Sequence, residues 1–397
     1  MPTSTAGVLA PGMCGALVAV HLAAAAPAAA GGQQDLRYDQ QGLQTVGAAE
    51  AWERNRGSGI AVAVLDTGVD DSHPDLEGGV AIGDDFTGQE LGTGDGGYGE
   101  HGTALAGIIA ASGHGQEHSG GVLGVAPEAE ILSVRVAADG GEDPEVSEEA
   151  LERGIRYAVS EGAQVIMLPD SDAGEEEQKA VGHAARNGVV VVAPVGSGLA
   201  DHDRVLAVGA VDNGLASQEA AAGNGGAALS APGTEVPAPA AGGGYTEVNG
   251  DAAAAAFVAG AAAMLRAEHP QLLPGQITEA LVEGAQPAAG EDGIGVLHVP
   301  GAMAAAGETA EDVPLYNEDL VADEDEDPLV PMWAWGVGGA VLLIVLIAVG
   351  AVRMNRSLSN PYDLPRRDDA AQPAEPAEAD AGRTGGRGRR RGRRRAR

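Results

Sequence analysis

An α/β fold in three layers, a parallel sheet flanked by helices, is what the sequence predicts for residues 40–305. Two observations carry this. Short runs dominated by Val, Ile and Ala recur without polar alternation, as strands buried on both faces require. Amphipathic helical patterns lie between them, which is the order of strand–helix–strand crossovers. The strands are expected at Ile60–Leu65, Ile131–Val136, Val165–Leu168, Val189–Ala193 and Val205–Ala210. Helices are expected at Pro144–Ser160 and Glu175–Asn187, with an Ala/Ile helix opening at His101-Gly102-Thr103 and an Ala-rich helix from about Ala252 to His269. Ligands and functional groups collect at the carboxyl ends of strands in such a sheet, and Asp66 sits at one.

Four blocks occur in a fixed order: IAVAVLDTGVD at Ile60–Asp70, HGTALAGIIAA from His101, GVAPEAEILSVRV at Gly124–Val136 with LSAPG following at Leu229–Gly233, and GDAAAAAFVAG from Gly250. Together they resemble the subtilisin-like serine proteases, the subtilase family. The resemblance implies the subtilisin-like three-layer domain, with Asp66 orienting the His101 imidazole and His101 taking the proton of a serine nucleophile. At the nucleophile position this chain has Ala252. A methyl group has no proton to give and cannot attack a carbonyl.

Three neighbouring positions depart from the same pattern. Ser197 stands where relatives carry the asparagine that stabilises the oxyanion, and its hydroxyl is shorter. Asp251 replaces the threonine before the nucleophile. It puts a carboxylate where negative charge would develop, although Asp is also a favoured N-cap at the positive end of a helix, and that is the role expected for it. Pro169 follows the strand Val165–Leu168, where relatives pair with the substrate backbone, and proline has no N–H to donate. Thr246, Ser230 and Cys14 are not placed by sequence to substitute as nucleophile.

The ends of the chain say where the domain belongs. The apolar stretch Val8–Ala30 closes on a small-residue pattern and reads as an export signal. Residues 332–352 form an uncharged apolar run of bilayer-spanning length, with Trp333 and Trp335 at one edge and Arg353 and Arg356 just past the other. A C-terminal transmembrane helix is therefore expected, with the large domain outside the cell membrane and a basic, disordered tail inside. An acidic spacer, 306–331, is expected between domain and span.

Charge is segregated in the same sense. Residues 31–331 hold 52 Asp and Glu against 10 Lys and Arg, with Lys179 the single lysine of the chain. Such an ectodomain excludes nucleic acid and anionic lipid surfaces as partners. Adaptation to salt, solubility and a basic partner all remain open as its reason.

This arrangement, together with LQTVGAAEAWERNRGSG before the first strand, is similar to the mycosins, membrane-anchored subtilases associated with type VII secretion. The likeness implies a type VII secretion membrane complex, or a peptide or protein client, as partner. No cofactor is expected. Structural calcium is common in subtilases, but the sequence places no site for it, and His114 and His118 in GHGQEHSG are expected in a solvated loop. Two functions stand side by side: a catalytically deficient, membrane-anchored pseudoprotease, and an active serine-type endopeptidase.

Overall fold

The computed structural model describes residues 35–139, 145–216, 226–289, 294–313, 343 and 345–354. The chain enters through three short helices, α1 (Asp35–Asp39), α2 (Gln41–Thr45) and α3 (Ala48–Ala51). It continues through β1 (Ala61–Asp66), β2 (Val80–Asp85), α4 (Glu100–Ala110), the hairpin β3 (Ser112–His114) and β4 (Gly120–Leu123), and β5 (Glu130–Arg135). A two-residue hairpin, β6 (Ala137–Ala138) and β7 (Glu145–Val146), leads to α5 (Glu148–Ser160), β8 (Val165–Met167), α6 (Glu175–Arg186), β9 (Val190–Pro194) and β10 (Val205–Val211). Then come β11 (Leu229–Pro232), the hairpin β12 (Val236–Pro239) and β13 (Tyr245–Val248), α7 (Asp251–Glu268), α8 (Pro274–Glu283) and α9 (Val299–Glu311).

Seven strands form one sheet in the order β11-β10-β9-β8-β1-β5-β2, and every pairing in it is parallel. The expected strands are all present, with ends shifted by a residue or two. β1 lies between β8 and β5, so the chain leaves it toward opposite edges of the sheet. That is the switch point at which a crevice opens beyond the strand ends.

Side chains of β1 alternate between two cores, as the pleat requires. Val62 and Val64 join α4 and α7 on one face, whereas Ala63 and Leu65 join α5 and α6 on the other. Every residue of α7 from Ala253 to Arg266 is buried. A helix apolar on all sides belongs inside a core, and its many alanines let sheet and helices approach it closely. On the outer side, α6 exposes Lys179, which pairs with Glu175 and Glu176 at 2.9 Å each.

Three expectations need correction and one needs refinement. The helix assigned to Pro144–Ser160 begins at Glu148, because Ser147 accepts a hydrogen bond from the Ala150 N–H at 3.2 Å and caps it, while Glu145–Val146 pair as β7. The domain also runs further than residue 305. α9 continues to Glu311, so 306–311 are helix and not spacer. GHGQEHSG is solvent-exposed through Gly115–Ser119 as expected, but its ends pair as the β3–β4 hairpin around a 3₁₀ turn at Gln116–His118, and His114 pairs with the wholly buried Asp75. Finally, α7 is capped by Gly250 and not by Asp251.

Two units divide the chain, one ending at Tyr316 and one beginning at Asn317. Of the second, residues 345–354 are helical. Among the described residues no helix is long and apolar enough to cross a membrane. The export signal with Cys14, most of the expected span 332–352, the spacer beyond 313 and the Arg-rich tail lie outside the described residues.

Arg135, at the end of β5, is 2 % exposed and organises the carboxyl end of the sheet. Its Nε donates to the Thr67 carbonyl at 2.9 Å, Nη1 to Asp85 at 2.9 Å and Thr87 Oγ1 at 2.8 Å, and Nη2 to Gln89 at 2.6 Å. Burial of the Asp85 carboxyl would raise its pKa, but hydrogen bonds from Thr87 and the Arg135 charge outweigh this and hold it below the ordinary carboxylate range. Replacing Arg135 with leucine strips the buried Thr67 carbonyl and the half-buried Asp85 and Thr87 of their donor. The expected loss is about 3 kcal/mol of unfolding free energy, read from urea denaturation at neutral pH. A loss below about 1 kcal/mol would show that the network is dispensable.

Candidate active site

Asp66 ends β1 and is 1 % exposed. Its Oδ1 accepts the Thr67 N–H at 2.7 Å. His101 is the second residue of α4, and its Nδ1 lies 3.0 and 2.9 Å from Asp66 Oδ1 and Oδ2. An Nδ1–H shared between two carboxylate oxygens fixes the tautomer that leaves Nε2 as the basic nitrogen.

The pair meets because α4 comes unusually close to the end of β1. A Cβ on Gly102 would lie 2.1 Å from the Gly68 carbonyl oxygen and 3.2 Å from Asp66 Cβ, so only glycine fits. Two threonines lock the approach. Thr67 Oγ1 accepts from the Gly102 N–H at 3.1 Å, and Thr103 Oγ1 accepts from the Asp70 N–H at 2.8 Å. Both were visible in the sequence, each one or two residues from an expected site residue, yet nothing in their local pattern assigned them a partner. Tyr98, also unforeseen, lays its ring against Gly68, and burial above all raises its phenol pKa.

Ala252 follows Asp251 at the start of α7, half-buried and packed against the larger core. Gly250, at φ +97°, turns the chain into the helix, and its N–H donates to the Gly233 carbonyl at 2.8 Å. Asp251 does not cap α7. Its Oδ1 accepts the Ala210 N–H of β10 at 2.7 Å, tying the start of the helix to the sheet. Burial raises its pKa above the ordinary carboxylate range, and that single backbone hydrogen bond only partly opposes the shift.

Ser197 sits in the turn after β9, only 4 % exposed. Its Oγ accepts from the Leu199 N–H at 3.3 Å, so the hydroxyl serves its own turn. Next to it, a Cβ on Gly196 would lie 2.6 Å from Asp170 Oδ2. The exposed Asp170 carboxylate thus stands directly over the Gly196-Ser197 backbone, a neighbour that sequence spacing did not reveal. Pro169 is buried behind it, and the last sheet bond before it runs from the Leu168 N–H to the Val192 carbonyl at 2.9 Å.

Among the alternative hydroxyls, Ser230 is fully buried in β11, and Thr246 is exposed on β13. Among the described residues, no group of three or more His, Cys, Asp or Glu side chains is placed to hold a metal ion. The arrangement offers an oriented imidazole beside a buried carboxylate, with a methyl group at residue 252.

Comparison with known proteins gives a consistent result. The family model described as "Subtilase family" matches residues 57–307. The major intracellular serine protease of Bacillus subtilis is 34 % identical over 265 residues, covering 62 % of this chain and 81 % of that protein. Thermitase of Thermoactinomyces vulgaris is 41 % identical over 160 residues, covering 40 % of this chain and 54 % of thermitase. Among solved structures, the prenylagaramide maturation protease PagA is similar at 29 % identity and a TM-score of 0.55, over 66 % of this chain and 98 % of its own. Fervidolysin from Fervidobacterium pennivorans, a keratinolytic enzyme related to subtilisin, is similar at 28 % identity and a TM-score of 0.59, over 66 % of this chain and 45 % of its own.

The half-buried Asp251 carboxyl has a definite pH signature. Because its pKa is raised on folding, the folded state holds this proton more tightly. Its contribution therefore favours folding in weak acid and is lost as pH rises from the unfolded carboxylate range through the raised folded value. Asp251→Asn keeps an acceptor for Ala210 and removes the titration. Urea unfolding between about pH 4 and pH 7 should show a flatter stability profile than wild type, with equal or higher stability at neutral pH. Identical profiles would contradict the partial burial of this charge.

Proposed function

This chain belongs to the subtilase family, and we propose that it has lost peptide-bond hydrolysis and uses the fold to bind a peptide or protein at the membrane. The observation that carries the reading is Ala252, at the residue where the family motif places its serine. His101 and Asp66 keep the geometry of a proton-accepting pair. With a methyl group at 252 there is no nucleophile for them to activate, and in subtilisin itself loss of the serine alone costs about 10⁶ in turnover.

Two further features agree with this reading. The Ser197 hydroxyl, which accepts the Leu199 N–H within its own turn, is shorter than the asparagine amide that relatives carry at this position. The Asp251 carboxylate adjoins residue 252 and would oppose a developing oxyanion. Each weakens the same chemical step.

On this proposal the protein is a mycosin-like subunit. It is exported and anchored by the apolar run 332–352, with its acidic domain outside and its basic tail in the cytoplasm. A type VII secretion membrane complex is its expected partner, for which the order of domain, acidic segment, apolar run and basic tail is the support. Recovery of the protein from membranes, followed by identification of what co-purifies, tests the assignment. A purely soluble protein, or one with no secretion component bound, would remove it.

The retained Asp66–His101 geometry favours one alternative, an active serine-type endopeptidase using another hydroxyl. A fluorophosphonate probe separates the two. The wild-type chain is expected to remain unlabelled, while covalent labelling abolished by His101→Ala would establish the peptidase. Ala252→Ser alone should recover little peptidase activity. Ala252→Ser combined with Asp251→Thr and Ser197→Asn should recover about 10²-fold more, the scale of one restored oxyanion donor.

A further inference from the structure

Calcium is the ion that membership of this family brings into question, and the structure contains oxygen donors of the kind it takes. The backbone of Glu117 and His118 is left-handed, at φ +53° and +54°, as is Gly121 at +74°. Such a conformation is costly for residues with a Cβ and persists only when the surroundings compensate it. Around this turn the carbonyls of His118, Gly120 and Gly121 all face one side chain. The buried Asp75 carboxylate lies beside them. It accepts the Val122 N–H at 2.9 Å, pairs with His114 and lies against Gly121, where a Cβ would sit 2.0 Å from Oδ1.

A cation of the chain's own converges on those carbonyls. Arg37 of α1 donates from Nε to the Gly121 carbonyl at 3.2 Å, and from Nη2 to the Gly120 carbonyl at 3.0 Å and to the His118 carbonyl. Three residues on, Gln40 exchanges two hydrogen bonds with Leu123 of β4, Nε2 to the carbonyl at 2.7 Å and Oε1 from the N–H at 3.0 Å. A divalent ion needs several oxygens at close range. Here those oxygens already face a guanidinium cation. Calcium therefore does not fit this loop while Arg37 is in place.

We propose that Arg37 is the resident cation of the carbonyl cage at residues 118–121. Its guanidinium holds the left-handed turn in shape, fastens the N-terminal helix to the β3–β4 hairpin, and keeps calcium out. Removing it opens a hard-oxygen site that calcium enters. This inference rests on α1 and the hairpin and is independent of whether the protein is a peptidase.

Thermal unfolding of the full chain, followed in chelator and in millimolar calcium, tests it. Wild type should melt at the same temperature in both. Arg37→Ala should melt roughly 5 °C lower in chelator and regain a substantial part of the loss in calcium, but not in sodium chloride of equal ionic strength. Arg37→Met, which keeps the aliphatic stem, serves if the alanine variant does not fold. A wild-type midpoint that moves with calcium or chelator overturns the proposal. So does an arginine variant as stable as wild type, or one indifferent to calcium.

Discussion

The approach of α4 to the end of β1 is the constraint on which the site depends. Gly102 has no side chain to hold the Gly68 carbonyl away, and the hydroxyls of Thr67 and Thr103 bond across the junction. Once that junction is closed, Asp66 and His101 have little choice but to meet. The pair is thus a product of packing as well as of chemistry. A chain that keeps this core keeps the acid and the imidazole together, whatever stands at residue 252. Their presence reports the fold more directly than it reports an activity.

The carboxyl end of the sheet also shows how a few buried polar groups can substitute for apolar packing. Arg135 spans from the Thr67 carbonyl to Asp85, Thr87 and Gln89, joining β5 to the residues that follow β1 and β2. Its face also meets the Tyr98 ring, 5.6 Å from the ring centre. Asp251 performs a smaller version of the same task by reaching from α7 to β10. Both are acids or bases whose bonds to distant backbone are worth their desolvation only because the geometry is fixed on all sides.

What the sequence made legible was local or periodic. Continuous Val and Ile runs marked five of the seven sheet strands, since strands covered on both faces need no polar alternation. β2 escaped notice because VAIGDD mixes apolar and acidic residues at an edge, and β11 because LSAPG reads as a turn. Asp66, His101, Ala252 and Ser197 could be numbered from motifs alone. The Arg135 network, the seat of Asp170 over Gly196 and the pairing of Asp75 with His114 could not. Each joins residues that are far apart in the chain, and no residue type or spacing encodes such partners. The role of Asp251 is hidden for the same reason: a helix start suggests a cap, while the donor its carboxylate accepts from, the Ala210 N–H, is 41 residues away.

The scarcity of lysine has a practical side. Lys179 projects from α6 with 53 % of its side chain exposed, flanked by Glu175 and Glu176, and no other side-chain amine exists in the chain. Amine-reactive crosslinkers, dyes and surface-coupling reagents will therefore attach at this helix or at the amino terminus. A tag placed that way is nearly homogeneous and sits on the opposite side of the sheet from α4 and α7. By the same token, a partner that docks near His101 would go unseen in a lysine-directed crosslinking map, and carboxylate-directed reagents are the suitable choice.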